Sequence, residues 1–159
     1  MSKLVCLQGL PGAGKSTRTK ELLAEYGNAV RLNRDLLRLC LHHDTPWSGK
    51  QERITKGVAR AMAKHILTDG RVGVLLVDDC NLHQGTVESW RSLAQECDAK
   101  FEIVRMDTSM EECLRRDALR ERPVGRHVIL GMAMQYGLKP QPAKGYVLCD
   151  LDGTLADIR

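Results

Sequence analysis

A short glycine-rich loop between an apolar run and a helix-like segment constrains this chain more than any other feature. The loop, Gly9 to Thr17, reads GLPGAGKST and matches the pattern G-x-x-x-x-G-K-[ST] of a Walker A loop. The apolar run Leu4 to Leu7 predicts a buried strand before it. Apolar Leu22 and Leu23 predict a helix over residues 16–26 after it. A strand, a tight loop and a helix in this order predict the first βα unit of a parallel sheet.

The chemistry of such a loop is that of a phosphate cradle. Glycines let successive backbone N–H groups turn inward and hold phosphate oxygens at a helix N-terminus. Lys15 can reach the β- and γ-phosphates, and the Ser16 hydroxyl can bind Mg²⁺. The sequence therefore predicts Mg²⁺ as cofactor and ATP or another NTP as phosphate donor. The alternative is a glycine-rich turn that binds no ligand. The residues expected to bind the donor are Gly12, Ala13, Gly14, Lys15, Ser16 and Thr17.

Strand-like and helix-like segments alternate through the rest of the chain. Further strands are predicted at 29–32, 72–77 and 101–106, and further helices at 36–42, 52–68, 86–97 and 128–136, with an arginine-rich helix after Ser109. This alternation predicts an α/β fold with a parallel β-sheet and helices on both faces. The apolar stripe expected to bury the long helix consists of Ile54, Val58, Ala61, Met62 and Ile66.

Composition fits one compact cytoplasmic domain. The chain has 159 residues, of which 43% are hydrophobic, so it can bury a sizeable core. No apolar stretch approaches the ~20 residues that span a bilayer, so no membrane contact is expected. The six cysteines form no CxxC pair, which favours reduced core thiols. The sequence is compatible with a homo-oligomer.

Basic side chains concentrate in two segments. Residues 28–60 carry seven Lys or Arg against three acids, and residues 111–145 carry seven against four, whereas residues 61–110 carry five against eight. Because the two basic segments would flank the phosphate loop, they favour a polyanionic substrate. Solvated helix faces would also explain this distribution.

Polar residues that follow predicted strands are the candidates for the chemistry, because ligands of parallel sheets lie at the carboxyl ends of the strands. Asp35 and Arg38 project from one side of a helix start. Asp35 could accept a proton from an attacking hydroxyl and Arg38 could hold an anionic acceptor, although Asp35 could also be only a helix N-cap. The acids after the third strand, Asp78 and Asp79, could order Mg²⁺-bound water or substrate, or be turn residues.

Two arginines of the penultimate helix, Arg116 and Arg120, are four residues apart and predict one shared helix face. From a lid, such arginines could stabilise charge on the transferred phosphoryl group. The alternative is a solvated face paired with nearby acids such as Glu112 and Asp117.

These motifs together resemble the 5′-hydroxyl polynucleotide kinase domain of bacteriophage polynucleotide kinase-phosphatases, over nearly the whole chain. The motifs are the loop 9–17, Asn33-Arg34-Asp35-x-x-Arg38, Asp79-x-Asn81 and Arg116 with Arg120. The resemblance implies that Asp35 is the general base and that Arg38, with Asp79 and Asn81, contacts the acceptor. It also implies a helical lid whose Arg116 and Arg120 bind the donor phosphates, with Lys15 and Arg120 acting in catalysis. Host cytoplasm is expected if a phage encodes the protein.

The C-terminal segment is similar to the first motif of haloacid-dehalogenase phosphatases. Asp150-Leu151-Asp152-Gly153-Thr154 follows a strand-like run and a Pro-containing stretch. In that family Asp150 would be the nucleophile and Asp152 the general acid. We therefore expect a kinase domain at 1–138, and at 139–159 a linker with the start of a truncated phosphatase domain.

Three classes of function follow from these motifs. The first is transfer of the γ-phosphate of an NTP to the 5′-hydroxyl end of RNA or DNA, as part of the repair of nucleic-acid ends. The second is a P-loop kinase that acts on a small metabolite. The third is a nucleotide-dependent binding module without catalysis, which the presence of Lys15, Ser16 and Asp35 argues against.

Overall fold

A computed structural model describes residues 1–43 and 45–138 as six helices and four strands. The elements are β1 (Lys3–Gln8), α1 (Lys15–Tyr26), β2 (Ala29–Leu32), α2 (Arg34–His42), α3 (Gly49–Asp69), β3 (Val74–Val77), α4 (Gln84–Glu96), β4 (Lys100–Arg105), α5 (Met110–Ala118) and α6 (Arg126–Gln135). Each of these elements was predicted, with ends shifted by up to three residues. The predicted linker and phosphatase motif, with Asp150 and Asp152, lie outside the described residues.

The four strands form one parallel sheet in the order β2-β3-β1-β4. Val77 at the end of β3 is in register with Cys6 of β1 and with Leu32 of β2. Because these strands end at the same edge, the segments that follow them meet there. That edge therefore carries the phosphate loop, the start of α2 and the acids after β3.

Alternate side chains of β1 enter two different cores, as expected for a strand covered on both faces. Leu4 and Cys6 pack with the helix pair α3 and α4, whereas Val5 and Leu7 pack with Leu22 of α1. A third cluster joins the phosphate loop to α5 and α6; it consists of Leu10, Ala13, Cys113, Ile129 and Ala133. The predicted α/β fold with helices on both faces is confirmed.

The row of side chains that α3 buries is shifted by one position along the helix from the predicted stripe. The buried residues are Thr55, Ala59, Ala63 and Leu67, spaced four apart. Predicted core residues Ile54 and Met62 are 45% and 42% exposed, and Ala61 is exposed as well. The prediction weighted large apolar side chains, but a helix that lies close to a sheet does so through small ones.

The described thiols are all free, and their surroundings differ. Cys6 and Cys113 are buried, whereas Cys40 is exposed on α2, so the expectation of core cysteines holds only for some of them. Burial raises the pKa of Cys6 to about 12, so this thiol stays protonated. Within residues 1–43 and 45–138 we find no helix that is both long and apolar enough to cross a bilayer.

Candidate functional site

The phosphate loop has the backbone conformation that its glycines predict. Gly12 and Gly14 have φ of 81° and 91°, a left-handed region that L side chains rarely adopt. A Cβ at Gly12 would also collide with the carbonyl oxygen of Cys113, so the backbone of α5 packs directly on the loop. Thr108 holds the loop from the β4 side, because its hydroxyl donates to the carbonyl of Ala13 at 2.9 Å.

Lys15 lies against the inside of this loop. It is 9% exposed, and its Nζ donates to the carbonyl oxygens of Gly9 at 3.0 Å and Leu10 at 2.8 Å. The ammonium group is therefore held where the loop curves. A cavity of about 430 Å³ opens over it, lined by the predicted donor residues Gly12, Gly14, Lys15, Ser16, Thr17, Arg116 and Arg120.

Ser16 faces Asp78, the first of the two acids that follow the third strand. Its hydroxyl donates to Oδ2 of Asp78 at 3.1 Å, and Asp78 is 2% exposed. The same oxygen accepts from Nε of Arg31 at 2.8 Å and lies 2.6 Å from its Nη2, so a cation offsets the buried charge. A hydroxyl and a carboxylate side by side are ligands that suit Mg²⁺.

The oxygen pair of Ser16 and Asp78 would provide only part of a magnesium site. Among the described residues, no group of three or more His, Cys, Asp or Glu side chains is arranged to hold a metal. This fits Mg²⁺ in kinases, which takes one or two protein ligands and fills its other positions with phosphate oxygens and water.

Asp79 and Asn81, predicted to contact the acceptor, have internal partners. Asp79 is 7% exposed; its Oδ2 accepts from Nε of Arg34 at 2.6 Å. Asn81 is 3% exposed, and its Nδ2 donates to the carbonyl of Leu7 at 2.8 Å, which ties the ends of β1 and β3 together. The contact of both residues with an acceptor stays a prediction.

Asp35 does not cap α2, which was the alternative to its predicted role as a proton acceptor. The N-cap of α2 is Asn33, whose side chain accepts from the backbone N–H of Leu36 at 2.9 Å. The Asp35 side chain is 82% exposed, and its Oδ1 accepts from Nη1 of Arg38 at 2.6 Å. The predicted pairing of Asp35 and Arg38 on one side of the helix is confirmed.

Glu52 of α3 is the partner of Arg38 that sequence reasoning missed. Nη2 of Arg38 donates to its Oε2 at 2.7 Å, and Nη1 of Arg34 lies 3.8 Å from its Oε1. Burial has the largest single effect and raises the pKa of Glu52, but the hydrogen bond from Arg38 and the charges of Arg38, Arg34 and Lys56 together lower the pKa overall. Glu52 therefore stays ionised and holds both guanidinium groups beside Asp35. It lies on another helix, so no spacing pattern within α2 points to it.

Arg116 and Arg120 do not share a helix face, contrary to prediction. Helix α5 ends at Ala118, and Arg120 lies in the turn that follows. Both nevertheless line the cavity over the loop, where Nη1 of Arg116 is 3.4 Å from the position of a Cβ on Gly14.

Acids of α5 hold this arginine-bearing segment in place. Asp117 is 2% exposed and accepts from the backbone N–H groups of Val124 at 3.2 Å and Gly125 at 2.9 Å, which fixes the turn. Hydrogen bonds from Arg115 and Arg116 lower the pKa of Glu112 to about 2. The predicted alternative of salt-bridged arginines therefore holds in part, since Arg116 pairs with Glu112 and Arg120 lies 3.6 Å from Asp117 while both line the cavity.

Two groups of side chains thus meet at the carboxyl edge of the sheet. Around the loop lie Lys15, Ser16 and the two arginines, which suit the phosphates of a nucleotide. Beyond β2 lies an exposed carboxylate held by an arginine, which suits a hydroxyl acceptor next to an anion.

Known proteins share this fold and its sequence pattern. A protein of Autographa californica nuclear polyhedrosis virus named "Putative bifunctional polynucleotide kinase/RNA ligase" is 28% identical, over 97% of this chain and 25% of that protein. The adenylate kinase of Bacillus subtilis is 26% identical, over 92% of this chain and 69% of the enzyme. A solved structure of a Pnkp1/Rnl/Hen1 complex superposes with a TM-score of 0.65 at 26% identity, over 79% of this chain and 42% of that one.

The chain spans about a quarter of the length of its viral relative. Together with the parallel sheet and the phosphate loop, these similarities establish a P-loop kinase-like fold. The AAA domain model named AAA_33 matches residues 4–138, which run from the second residue of β1 to beyond the end of α6. The chain belongs to this AAA domain family.

Proposed function

We propose that this chain transfers the γ-phosphoryl group of ATP or another NTP to the 5′-hydroxyl end of RNA or DNA. The observation that carries the proposal is the Asp35 carboxylate, which is exposed, free of capping and held by Arg38 at the edge that bears the phosphate loop. The viral relative and the Pnkp1-containing complex support a polynucleotide as acceptor.

The donor side of the proposed reaction uses the groups over the loop. Backbone N–H groups of residues 12–17 and the Lys15 ammonium would bind the phosphates, while Arg116 and Arg120 would face the transferred group. Mg²⁺, when bound at Ser16 and Asp78, supplies charge neutralisation of the phosphates. Charge that develops on the phosphoryl oxygens would then meet preorganised cations.

The acceptor side would activate and position the hydroxyl. As the 5′-oxygen forms its bond to the γ-phosphorus and the bond to the β-phosphate oxygen breaks, Asp35 would take the hydroxyl proton. Arg38 would bind the adjacent phosphate of the strand, and Glu52 would hold Arg38 in position. Asp79 and Asn81 would shape this side, Asp79 through Arg34 and Asn81 through the end of β1.

The resemblance of the sequence motifs to polynucleotide kinase-phosphatases leads us to propose residues 1–138 as the kinase domain and 139–159 as a linker with the start of a phosphatase domain. The proposed place of action is the cytoplasm, with nucleic-acid ends and NTP as partners.

A kinase for a small metabolite is the second candidate, favoured by the similarity to adenylate kinase of Bacillus subtilis. The two candidates differ in the acceptor. In a nucleotide kinase the acceptor would be a phosphate group, whereas in the proposed reaction it is a hydroxyl that needs a general base.

The experiment compares acceptors with one donor. Purified protein is given γ-labelled ATP and either 5′-hydroxyl RNA, 5′-hydroxyl DNA, AMP or a free nucleoside, with Lys15→Ala as the inactive control. We expect kcat/KM for an oligonucleotide to exceed that for AMP and for the nucleoside by at least about 100-fold, because only a strand offers both a 5′-hydroxyl to Asp35 and an adjacent phosphate to Arg38. Transfer to AMP with no label on either oligonucleotide would establish the second candidate instead.

A further inference from the structure

A groove between α3 and α4 has no part in the proposed transfer. Its volume is about 540 Å³, and side chains of both helices and of the start of α2 line it. We name it the α3–α4 groove; the lining residues that matter are Arg34, Lys56, Gly57, Arg60, His83 and Trp90.

The groove is cationic on one side and apolar on the other. Lys56 is 55% and Arg60 39% exposed, and no carboxylate of the described residues lines the groove. Arg60 pairs with Glu96 at 2.5 Å and its Nη1 donates to the carbonyl oxygen of Ser89 at 3.1 Å, but a guanidinium has five N–H donors and these partners use only some of them. Trp90, which is 5% exposed, forms a rigid apolar wall.

Consecutive ion pairs connect the groove with the proposed general base. Asp35 pairs with Arg38, and Arg38 pairs with Glu52 at 2.7 Å. Glu52 in turn lies 3.8 Å from Arg34 and 3.7 Å from Lys56, which both line the groove. A strand whose 5′ end lies at Asp35 would therefore meet the groove on passing Arg38.

We propose that the α3–α4 groove binds the body of a single-stranded acceptor, the nucleotides that follow the 5′-terminal one. The inference rests on the proposed function and adds that tight binding needs an acceptor strand long enough to reach the groove. Backbone phosphates would bind Lys56 and Arg60, and a base would pack on the apolar side beside Trp90 and the ring of His83. An acidic peptide would use the cations but not this apolar side, so nucleic acid fits the groove better.

Gly57 offers a direct test, because a Cβ built there meets no atom within 4 Å and its α3 position lines the groove. Gly57→Leu would fill the groove and also favour the helix. The matched control is Gly131→Leu on α6, an exposed helical glycine with the same open space. Fluorescence anisotropy of a labelled 5′-hydroxyl octanucleotide measures binding. We expect a Kd increase of about tenfold for Gly57→Leu and none for Gly131→Leu.

A second pair of variants compares a charge that lines the groove with a charge elsewhere on α3. Lys56→Gln should lower the slope of log Kd against log salt by about one, whereas Lys64→Gln, exposed on the same helix, should not. Equal Kd values for the wild-type chain and Gly57→Leu would overturn the inference. So would equally strong displacement of the octanucleotide by a polyglutamate peptide of the same charge.

Transfer assays with the same variants distinguish failure of the groove from failure of the proposed function. If the chain phosphorylates the octanucleotide and a 5′-hydroxyl dinucleotide but Gly57→Leu binds the octanucleotide normally, the groove inference is wrong and the proposed function stands. If the octanucleotide binds in the groove and is never phosphorylated, the binding site stands and the proposed transfer does not. Absence of octanucleotide binding by the wild-type chain overturns the groove inference.

Discussion

Two neighbouring acids at the end of β3 serve different sides of the site. Successive residues of an extended segment point in opposite directions. Asp78 therefore meets Ser16 at the phosphate loop, whereas Asp79 meets Arg34 at the start of α2. One acid therefore belongs to the proposed donor side and the next to the proposed acceptor side.

This division predicts different effects of the two amide variants. Asp78→Asn should raise the Mg²⁺ concentration needed for half-maximal transfer about tenfold or more, because a neutral amide is a poorer ligand for a hard cation. Asp79→Asn should instead lower the stability of the fold, because it removes the ion pair with Arg34, and should change the Mg²⁺ requirement little. Mg²⁺ titrations of transfer by each folded variant measure this. Equal shifts for both variants would contradict the assignment of Asp78.

Asp35 and Asn33 provide a second contrast within one helix start. Asp35→Asn should lower kcat by about 10²–10⁴-fold at unchanged donor affinity, the usual contribution of a general base. Asn33→Ala should destabilise the fold by about 1 kcal/mol, because it removes the N-cap of α2. Single-turnover rates and thermal unfolding of both variants separate the roles. A stable Asp35→Asn variant with normal turnover would show that Asp35 is not the base.

At the residue scale the sequence predicted the donor side better than the acceptor side. The phosphate loop is one contiguous motif, so its spacing alone brings Lys15 and Ser16 to the same phosphates. Asp78 was harder to choose over Asp79, because β3 is buried on both faces and shows no polar alternation before the two acids. Glu52 reaches Arg38 from another helix, a contact that only packing creates.

The contact between the phosphate loop and α5 depends on the missing side chain of Gly12. Gly12→Ala should destabilise the chain by about 1–3 kcal/mol more than Gly27→Ala. Both glycines have positive φ and share the backbone strain, but only at Gly12 does a Cβ collide with the backbone of Cys113. Urea unfolding of both variants measures the difference. Equal losses would show that the loop can move away from α5 at no cost.

The contact between α2 and α3 should depend on pH through Glu52. Because the folded state lowers the pKa of Glu52, its contribution to stability is present above the ordinary value of 4.5 and is lost as the pH falls below it. Glu52→Gln should therefore lower the free energy of unfolding by about 1 kcal/mol at neutral pH. The difference in free energy of unfolding between Glu52→Gln and the wild-type chain should shrink as the pH falls below 4.5.

Urea unfolding at several pH values measures this difference. The control is Glu88→Gln, which removes an exposed carboxylate paired with Arg91 at 3.3 Å. A Glu52→Gln difference that stays constant down to acid pH would contradict the role of its charge.

At the scale of elements, hydrophobic periodicity, with a helix-start pattern at Ser109, located the helices and strands of the described residues but not every buried face. In α3 the buried row is Thr55, Ala59, Ala63 and Leu67, and small side chains carry little weight in such a pattern. The end of α5 was also missed, because arginine-rich sequence continues through a turn that Asp117 stabilises from within the fold.

At the scale of the whole molecule, topology explains why distant motifs form one site. The order β2-β3-β1-β4 places the ends of β1, β2 and β3 side by side. The loop 9–17, the start of α2 and the acids 78–79 therefore meet, although up to about 70 residues separate them in the chain. This convergence follows from parallel strands alone and was predictable from the sequence. The proposed path of an acceptor strand away from the site depends on how the helices pack, so the sequence did not predict it.

The identity of the labelled product tests the central claim most directly. The chain is incubated with γ-labelled ATP and, in separate reactions, with a 5′-hydroxyl oligonucleotide or with its 5′-phosphorylated form, and the products are digested to mononucleotides. We predict label on the 5′-hydroxyl strand alone, released as the 5′-monophosphate of its first nucleoside, and none with Lys15→Ala. Label on the 5′-phosphate strand as well, or on neither strand, would contradict a 5′-hydroxyl polynucleotide kinase.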